Sequence, residues 1–176
     1  VGVNSYTFGE GPTGIFIQGG IHGGEVTYFI FHNIYKFLQA NESKLKKQVT
    51  LIPIINPPAW IQRLYYYTMG KFNFYKGADW NRGYPGDQTT LSGRNSKIIY
   101  DLSRDYEVVL DLHTARISRP YTIFNDRNML PLVKTIGFKY NSLADTKDPK
   151  QLKMKGMLSD ARAQDNKMGI TIECGT

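Results

Sequence analysis

The chain of 176 residues has a single cysteine, Cys174, so it cannot form an intrachain disulfide and nothing in it calls for an oxidising compartment. No apolar run reaches the ~18–20 residues that a bilayer span requires. The opening Val1-Gly2-Val3-Asn4 is neither a signal peptide nor a basic targeting segment. It also lacks an initiator Met, as a trimmed chain or a fragment would. Repeats, low-complexity tracts and linkers are absent. So are RRM, KH, helix-turn-helix and zinc-finger patterns. The expectation is a cytoplasmic protein with neither membrane nor nucleic acid as a partner. Its oligomeric state is open.

What the chain does have is enough apolar material for one core. Its length is that of about one domain, and 41% of its residues are hydrophobic. The charge is lopsided, with 22 Lys and Arg against 15 Asp and Glu, a net +7. The basic residues are scattered, and the densest run, Lys44-Leu45-Lys46-Lys47, holds three charges. A solvated surface explains most of this. Attraction of an anionic substrate is the functional reading that remains.

Short apolar runs alternate with helical patterns. Gly14 to Gln18, Val49 to Ile55, Glu107 to Leu112, Tyr121 to Phe124 and Gly169 to Ile172 read as strands. Pro53 marks an edge or an irregularity in the second. Helical spacing covers Glu25 to Ala40, with Val26, Phe29, Ile30, Ile34, Phe37 and Leu38 inward. It recurs over Gly93 to Asp105, with Ile98, Ile99 and Leu102 inward, over Asn128 to Ile136, and more weakly over Met154 to Gln164. From Arg63 to Asp87 the chain reads as a long, Tyr- and Gly-rich loop. The pattern predicts an α/β fold, a mixed and mostly parallel sheet flanked by helices, with its site beyond the carboxyl ends of the strands.

Four constellations sit at such ends. In His22-Gly23-Gly24-Glu25 the glycines let a His and a Glu three apart reach one cation. A capping role for Glu25 is the plainer alternative. Asp111-Leu112-His113 puts a second histidine at a strand end, where a hydrogen-bonded loop histidine would also fit. Together His22, Glu25 and His113 make a His₂Glu set, which suits a catalytic Zn²⁺ with one position left for water. Asn81-Arg82, in a Gly/Pro-shaped loop, can offer an amide and a guanidinium fork to a carboxylate, or form a salt bridge within the turn. Glu173 follows an apolar strand and can take a proton from an activated water, or pair at the strand end. His32 reads as packing or surface. Cys174 has no free His–acid pair to activate it.

Five motifs occur in one order: Gly19-Gly20-Ile21-His22-Gly23-Gly24-Glu25; Asn56-Pro57 followed by Arg63; Asp79-Trp80-Asn81-Arg82-Gly83-Tyr84-Pro85-Gly86; Asp111-Leu112-His113-Thr114; and Glu173-Cys174-Gly175. In this the chain resembles the zinc carboxypeptidase superfamily, most closely its succinylglutamate desuccinylase/aspartoacylase branch, over nearly its whole length. That branch usually carries Leu and Phe where this chain has Trp80 and Tyr84. The resemblance implies a zinc-carboxypeptidase-like fold and one Zn²⁺ on His22, Glu25 and His113. It implies Asn81 and Arg82 on the substrate carboxylate, Arg63 assisting the polarised carbonyl, and Glu173 as general base and acid. It also implies Arg162 as a second carboxylate-binding arginine and Asp79 as the group orienting His22. Relatives usually continue past the catalytic Glu, so residues 1–176 are expected to be one catalytic domain truncated at its C-terminus.

The expected activity is hydrolysis of the amide bond of a small, acidic N-acyl amino acid. A metallocarboxypeptidase acting on peptide C-termini is the second reading. The compact interval from Glu25 to His113 favours the first, since digestive-type carboxypeptidases tend to carry longer insertions there. A non-catalytic basic binding module is the reading from a different class, and it predicts no bound zinc.

Overall fold

The computed structural model describes residues 2–62, 70–74, 77–115, 118–144, 148 and 154–175. Seven strands form one sheet: β1 (Tyr6–Phe8), β2 (Thr13–Gly19), β3 (Gln48–Ile52), β4 (Val108–His113), β5 (Tyr121–Phe124), β6 (Tyr140–Leu143) and β7 (Met168–Glu173). Their order is β1-β3-β2-β4-β7-β5-β6. Strands β3, β2, β4 and β7 run parallel, whereas β1 and β5 pair antiparallel with their inner neighbours. Among the described residues five α-helices flank the sheet: α1 (Tyr28–Asn41), α2 (Pro57–Ile61), α3 (Leu91–Ser103), α4 (Leu130–Ile136) and α5 (Leu158–Gln164).

The central strands are covered on both faces, which is why they read as continuous apolar runs. Their alternation divides the core in two. Ile17, Leu112, Ile170 and Ile172 face α1 and α4 through Phe31, Leu38 and Val133. Phe16, Ile52 and Val109 face the opposite layer, built from Ala59, Trp80, Ile99, Leu158 and Ala161. On that second face the apolar pattern is interrupted. Register places Gln18 beside Asp111 and Asp111 beside Thr171, and one step on it places His113 beside Glu173 and Glu173 beside Tyr121. Two rows of polar side chains therefore cross the sheet at the carboxyl ends of its central strands.

The chain leaves β2 toward β3 on one side and reaches β4 on the other, so the switch in strand order lies between β2 and β4. His22 follows β2 and His113 ends β4. The turn between Gly19 and Glu25 is tight: a Cβ at Gly23 would collide with the Ala59 carbonyl, and Gly23 N donates to Gly70 O at 2.9 Å. Asn56 fixes the same turn from below. Its side chain caps α2 by accepting from Ala59 N at 3.3 Å and donates to Ile21 O at 2.8 Å.

Two helices depart from their sequence reading. α1 starts at Tyr28, so Glu25 and Val26 belong to the preceding turn; Phe29 and Phe37 are exposed, and Phe31 and Leu38 carry the burial. In α3 Ile99 is buried, but Ile98 and Leu102 face solvent. Its inward stripe is Ile99 with the small residues Gly93, Ser96 and Ser103. Pro53 lies just beyond β3, a strand paired on both sides and not at an edge. Strands β1 and β6 escaped the sequence pattern: one is three residues long, and the other, Tyr-Asn-Ser-Leu, is mostly exposed. No helix among the described residues is long and apolar enough to cross a membrane.

Asn56→Ala removes a cap and leaves the Ile21 carbonyl without its buried donor. Denaturant unfolding should show a loss of about 1–3 kcal/mol. An unchanged midpoint would mean that the turn before His22 is held by other contacts.

Candidate active site

The three residues of the His₂Glu set converge. Glu25 lies between the two rings, its Oε1 2.6 Å from His22 Nδ1 and its Oε2 3.0 Å from His113 Nδ1. The ring centroids are 5.1 Å apart, and the candidate ligand atoms all lie within 4.8 Å of one another. Each outer nitrogen meets a second carboxylate. His22 Nε2 lies 2.9 Å from Asp79 Oδ1, and His113 Nε2 lies 2.9 Å from Asp111 Oδ2. Thr114 N donates to Glu25 Oε2 at 3.4 Å and completes the cradle.

Local chemistry builds this arrangement. The carboxylate of Asp79 caps the short turn Trp80–Arg82 by accepting from Asn81 N at 2.8 Å, through the oxygen that faces His22. Asp111 is 1% exposed and accepts from Gln18 Nε2 at 3.0 Å and from Asn81 Nδ2 at 3.3 Å. Asn81 in turn accepts from Leu158 N at 3.3 Å. Trp80 and Tyr84 anchor the loop by burying their rings in the second core layer.

Electrostatics follow from this packing. Burial opposes charge on both rings, but the flanking carboxylates outweigh it. Asp79 and Glu25 raise His22, and Asp111 and Glu25 hold His113 well above the usual imidazole range. Burial would raise Glu25, yet the two histidines bring it down to about 2. Asp79 is likewise brought down to about 2 against its burial, chiefly by His22. Both Nδ1 atoms thus face one carboxylate. Two nitrogens and one carboxylate in mutual reach, each ring backed by a further acid, form a donor set that fits a divalent cation.

A cavity of about 540 Å³ opens over this set, bordered also by Lys71, Asn81, Arg82, Tyr121 and Glu173. Burial raises Glu173, and its Oε2 is enclosed without a hydrogen-bond partner among the described residues. Arg82 donates from Nη1 to Asn81 O at 2.7 Å and lies 3.9 Å from Asp79 Oδ2. A second cavity of about 640 Å³, near Lys97, Tyr100 and Arg104, contains none of these groups. Cys174 carries a thiol that burial pushes up to about 11, so it stays protonated at neutral pH.

Arg162 goes elsewhere. It is fully buried, and its guanidinium donates to the carbonyls of Ser103 and Arg104 at 3.0 and 3.1 Å, and to that of Tyr106. Those carbonyls precede β4, at the opposite end from His113. Arg63 lies outside the described residues. The buried partners Gln18 and Asp111, and the pocket residues Lys71 and Tyr121, had no role in the sequence reading. Gln18 and Asp111 could have been suspected as polar positions inside otherwise apolar strands.

The succinylglutamate desuccinylase/aspartoacylase catalytic-domain family matches residues 11–176. The chain belongs to that family. No curated protein matches it, but solved structures do. A succinylglutamate desuccinylase/aspartoacylase from Rhodobacter sphaeroides superposes with a TM-score of 0.77 at 19% identity, over 99% of this chain and 52% of that one. The product-bound ectoine utilization protein EutE (DoeB) from Ruegeria pomeroyi gives 0.72 at 15% identity, over 97% and 49%. The tripeptide-bound cell shape determinant Csd4 from Helicobacter pylori gives 0.72 at 16%, over 98% and 50%. At these identities the likeness is one of fold. The chain spans about half the length of these three structures.

The pH response of this desuccinylase/aspartoacylase-family domain, kept free of metal, follows from the charges. Glu25 is lowered in the folded state, so its contribution is intact above pH ~4.5 and is lost as pH falls toward about 2. His22 and His113 are raised, so their contribution is complete below pH ~6.5 and is lost as pH climbs through their raised values. Thermal melts in chelator should therefore peak in the mildly acidic range and decline on both sides. A melting temperature that rises steadily from pH 6 to 9 would contradict this charge arrangement.

Proposed function

We propose that residues 1–176 form one metallohydrolase catalytic domain that hydrolyses the amide bond of an N-acyl amino acid with a single zinc ion. The observation that carries this reading is the meeting of His22, Glu25 and His113 on one cavity with Glu173, whose Oε2 has no hydrogen-bond partner among the described residues. His22 and His113 would hold the metal through Nδ1, and Glu25 through its carboxylate. A zinc ion there supplies a water of lowered pKa and a Lewis acid for the scissile carbonyl.

The remaining steps belong to the chain itself. Asp79 and Asp111 hold the Nε2 protons of the two rings, which keeps both Nδ1 atoms directed at the centre. Glu173, raised by burial, accepts the proton of the attacking water as oxygen adds to the amide carbon. It then delivers that proton to the amide nitrogen as the C–N bond breaks, releasing a carboxylic acid and a free amino acid. Arg82 and Asn81 are assigned to the substrate carboxylate on the family resemblance; the Asn81 amide nitrogen also lies 3.1 Å from His113 Nε2 and 3.3 Å from Asp111 Oδ2. Arg63 is assigned to the carbonyl oxygen on the family resemblance.

Carboxypeptidase action is the second reading. It uses the same groups, and it is supported by the tripeptide bound to the Helicobacter pylori neighbour. Zinc analysis together with a panel of N-acetyl and N-succinyl amino acids, set against tripeptides, separates the two. Protein that binds no zinc would sink both.

Glu173→Gln keeps the shape of the side chain and removes the proton acceptor. It should retain full zinc and substrate affinity while kcat falls about 10²–10⁴-fold. Loss of zinc with activity would instead make Glu173 a ligand or a support. Arg82→Lys keeps the charge but removes the planar fork, so KM should rise, with kcat falling too if positioning suffers. Kinetics matching the parent protein would remove Arg82 from the site.

A further inference from the structure

Lys71 reaches the cavity from a segment that lies outside the five sequence motifs. Its backbone is held from two sides. Next to it, Gly70 O accepts from Gly23 N at 2.9 Å, in the turn that carries His22. Lys71 O itself accepts from Trp80 N at 3.1 Å, in the turn that carries Asn81 and Arg82, and Phe72 forms an isolated bridge with Asp79. Gly70 makes the first contact possible. Its φ is +96°, and a Cβ there would lie 3.0 Å from Gly23 Cα. Lys71 is thus fixed in place relative to both turns, while its side chain stays 45% exposed and its Nζ lies 6.0 Å from the Phe72 ring.

The ammonium and the Arg82 guanidinium converge on one atom. Lys71 Nζ lies 3.8 Å and Arg82 Nη1 lies 3.9 Å from Asp79 Oδ2, and both residues border the cavity. The other oxygen of Asp79 faces His22 and caps the turn. At 3.8 Å the ion pair sets the direction of the ammonium without a hydrogen bond to it. Two cations around one carboxylate leave this group with an excess of positive charge. A carboxylate offers about four acceptor positions on its two oxygens. One substrate carboxylate can therefore take the fork of Arg82 on one side and the ammonium of Lys71 on the other.

We infer that Lys71 is a substrate-binding residue and completes, with Arg82, a two-cation clamp on the carboxylate of the N-acyl amino acid. Arg82 supplies planar geometry, and Lys71 supplies a point charge on an adaptable stem. The inference rests on the proposed reading for the identity of the ligand.

The test is calorimetric titration of zinc-loaded protein carrying Glu173→Gln, so that the ligand is not consumed. The probes are N-acetyl-L-alanine, which has the carboxylate, and N-acetyl-L-alaninamide, which lacks it. Adding Lys71→Met should raise Kd for the acid at least ~5-fold, the scale of a partly exposed charge-assisted contact, and change Kd for the amide less than ~2-fold. Lys71→Arg restores the charge and should hold Kd for the acid within ~3-fold of its starting value. Lys46→Met removes an exposed charge just before β3, at the opposite end of the sheet, and should leave both values unchanged. Melting temperatures confirm that each variant is folded. An unmoved Kd for the acid in Lys71→Met overturns the inference, as do equal losses for acid and amide, an equal loss in Lys46→Met, or no binding of the acid at all. Turnover of N-acyl amino acids by the parent protein is scored separately. If the acid is turned over but its Kd ignores Lys71, the clamp fails and the deacylase reading stands. If nothing is turned over but the acid binds through Lys71, the clamp stands and the deacylase reading fails.

Discussion

A carboxylate that is 1% exposed governs the arrangement of this site. Asp111 sits inside the sheet, where an ion without partners would be prohibitively unfavourable. Its partners come from three places: Gln18 on the neighbouring strand, His113 two residues ahead, and Asn81 from a distant loop. Satisfying that one charge therefore fixes the His113 ring, ties the Asp79–Gly86 loop to the sheet and, through Leu158, positions the start of α5. Asp79 does the same for His22 while capping its own turn. The geometry around Glu25 follows from these two acids.

The sheet supports this by dividing its tasks between faces. The face toward α1 and α4 is apolar and supplies cohesion. The other face carries the two polar rows at the carboxyl ends of its strands, with apolar packing behind them. Buried polar rows of this kind are tolerable because nearly every member has a partner. The enclosed oxygens of Glu173 and Gln18 are the members of these rows without one among the described residues, and Glu173 borders the cavity.

Much of this was legible in the residues. The central strands announced themselves as apolar runs, and Gly137 ended α4 in the left-handed conformation, as a stop signal should. His22, Glu25 and His113 were readable because glycines and strand ends confine where their side chains can go. Other features left no pattern. The buried stripe of α3 is made of Gly93, Ser96 and Ser103, which periodicity of hydrophobicity passes over. The edge strand β6 buries too little to need apolar residues. Arg162 was expected at the site only on the family resemblance, which implies a second carboxylate-binding arginine near its position; its partners are instead three backbone carbonyls.

That same arginine makes α5 a strut. At one end the helix meets the Asn81 amide, and at the other Arg162 grips the turn that precedes β4. Seven residues, roughly 10 Å at 1.5 Å rise per residue, thus join the rim of the pocket to the underside of the sheet. The guanidinium of Arg162 is fully buried, so its effect on the pocket can pass only through the helix that carries it. Distance from the reacting atoms is then a poor guide to mutational sensitivity in this domain, because stiffness carries positional error along the helix from one end to the other.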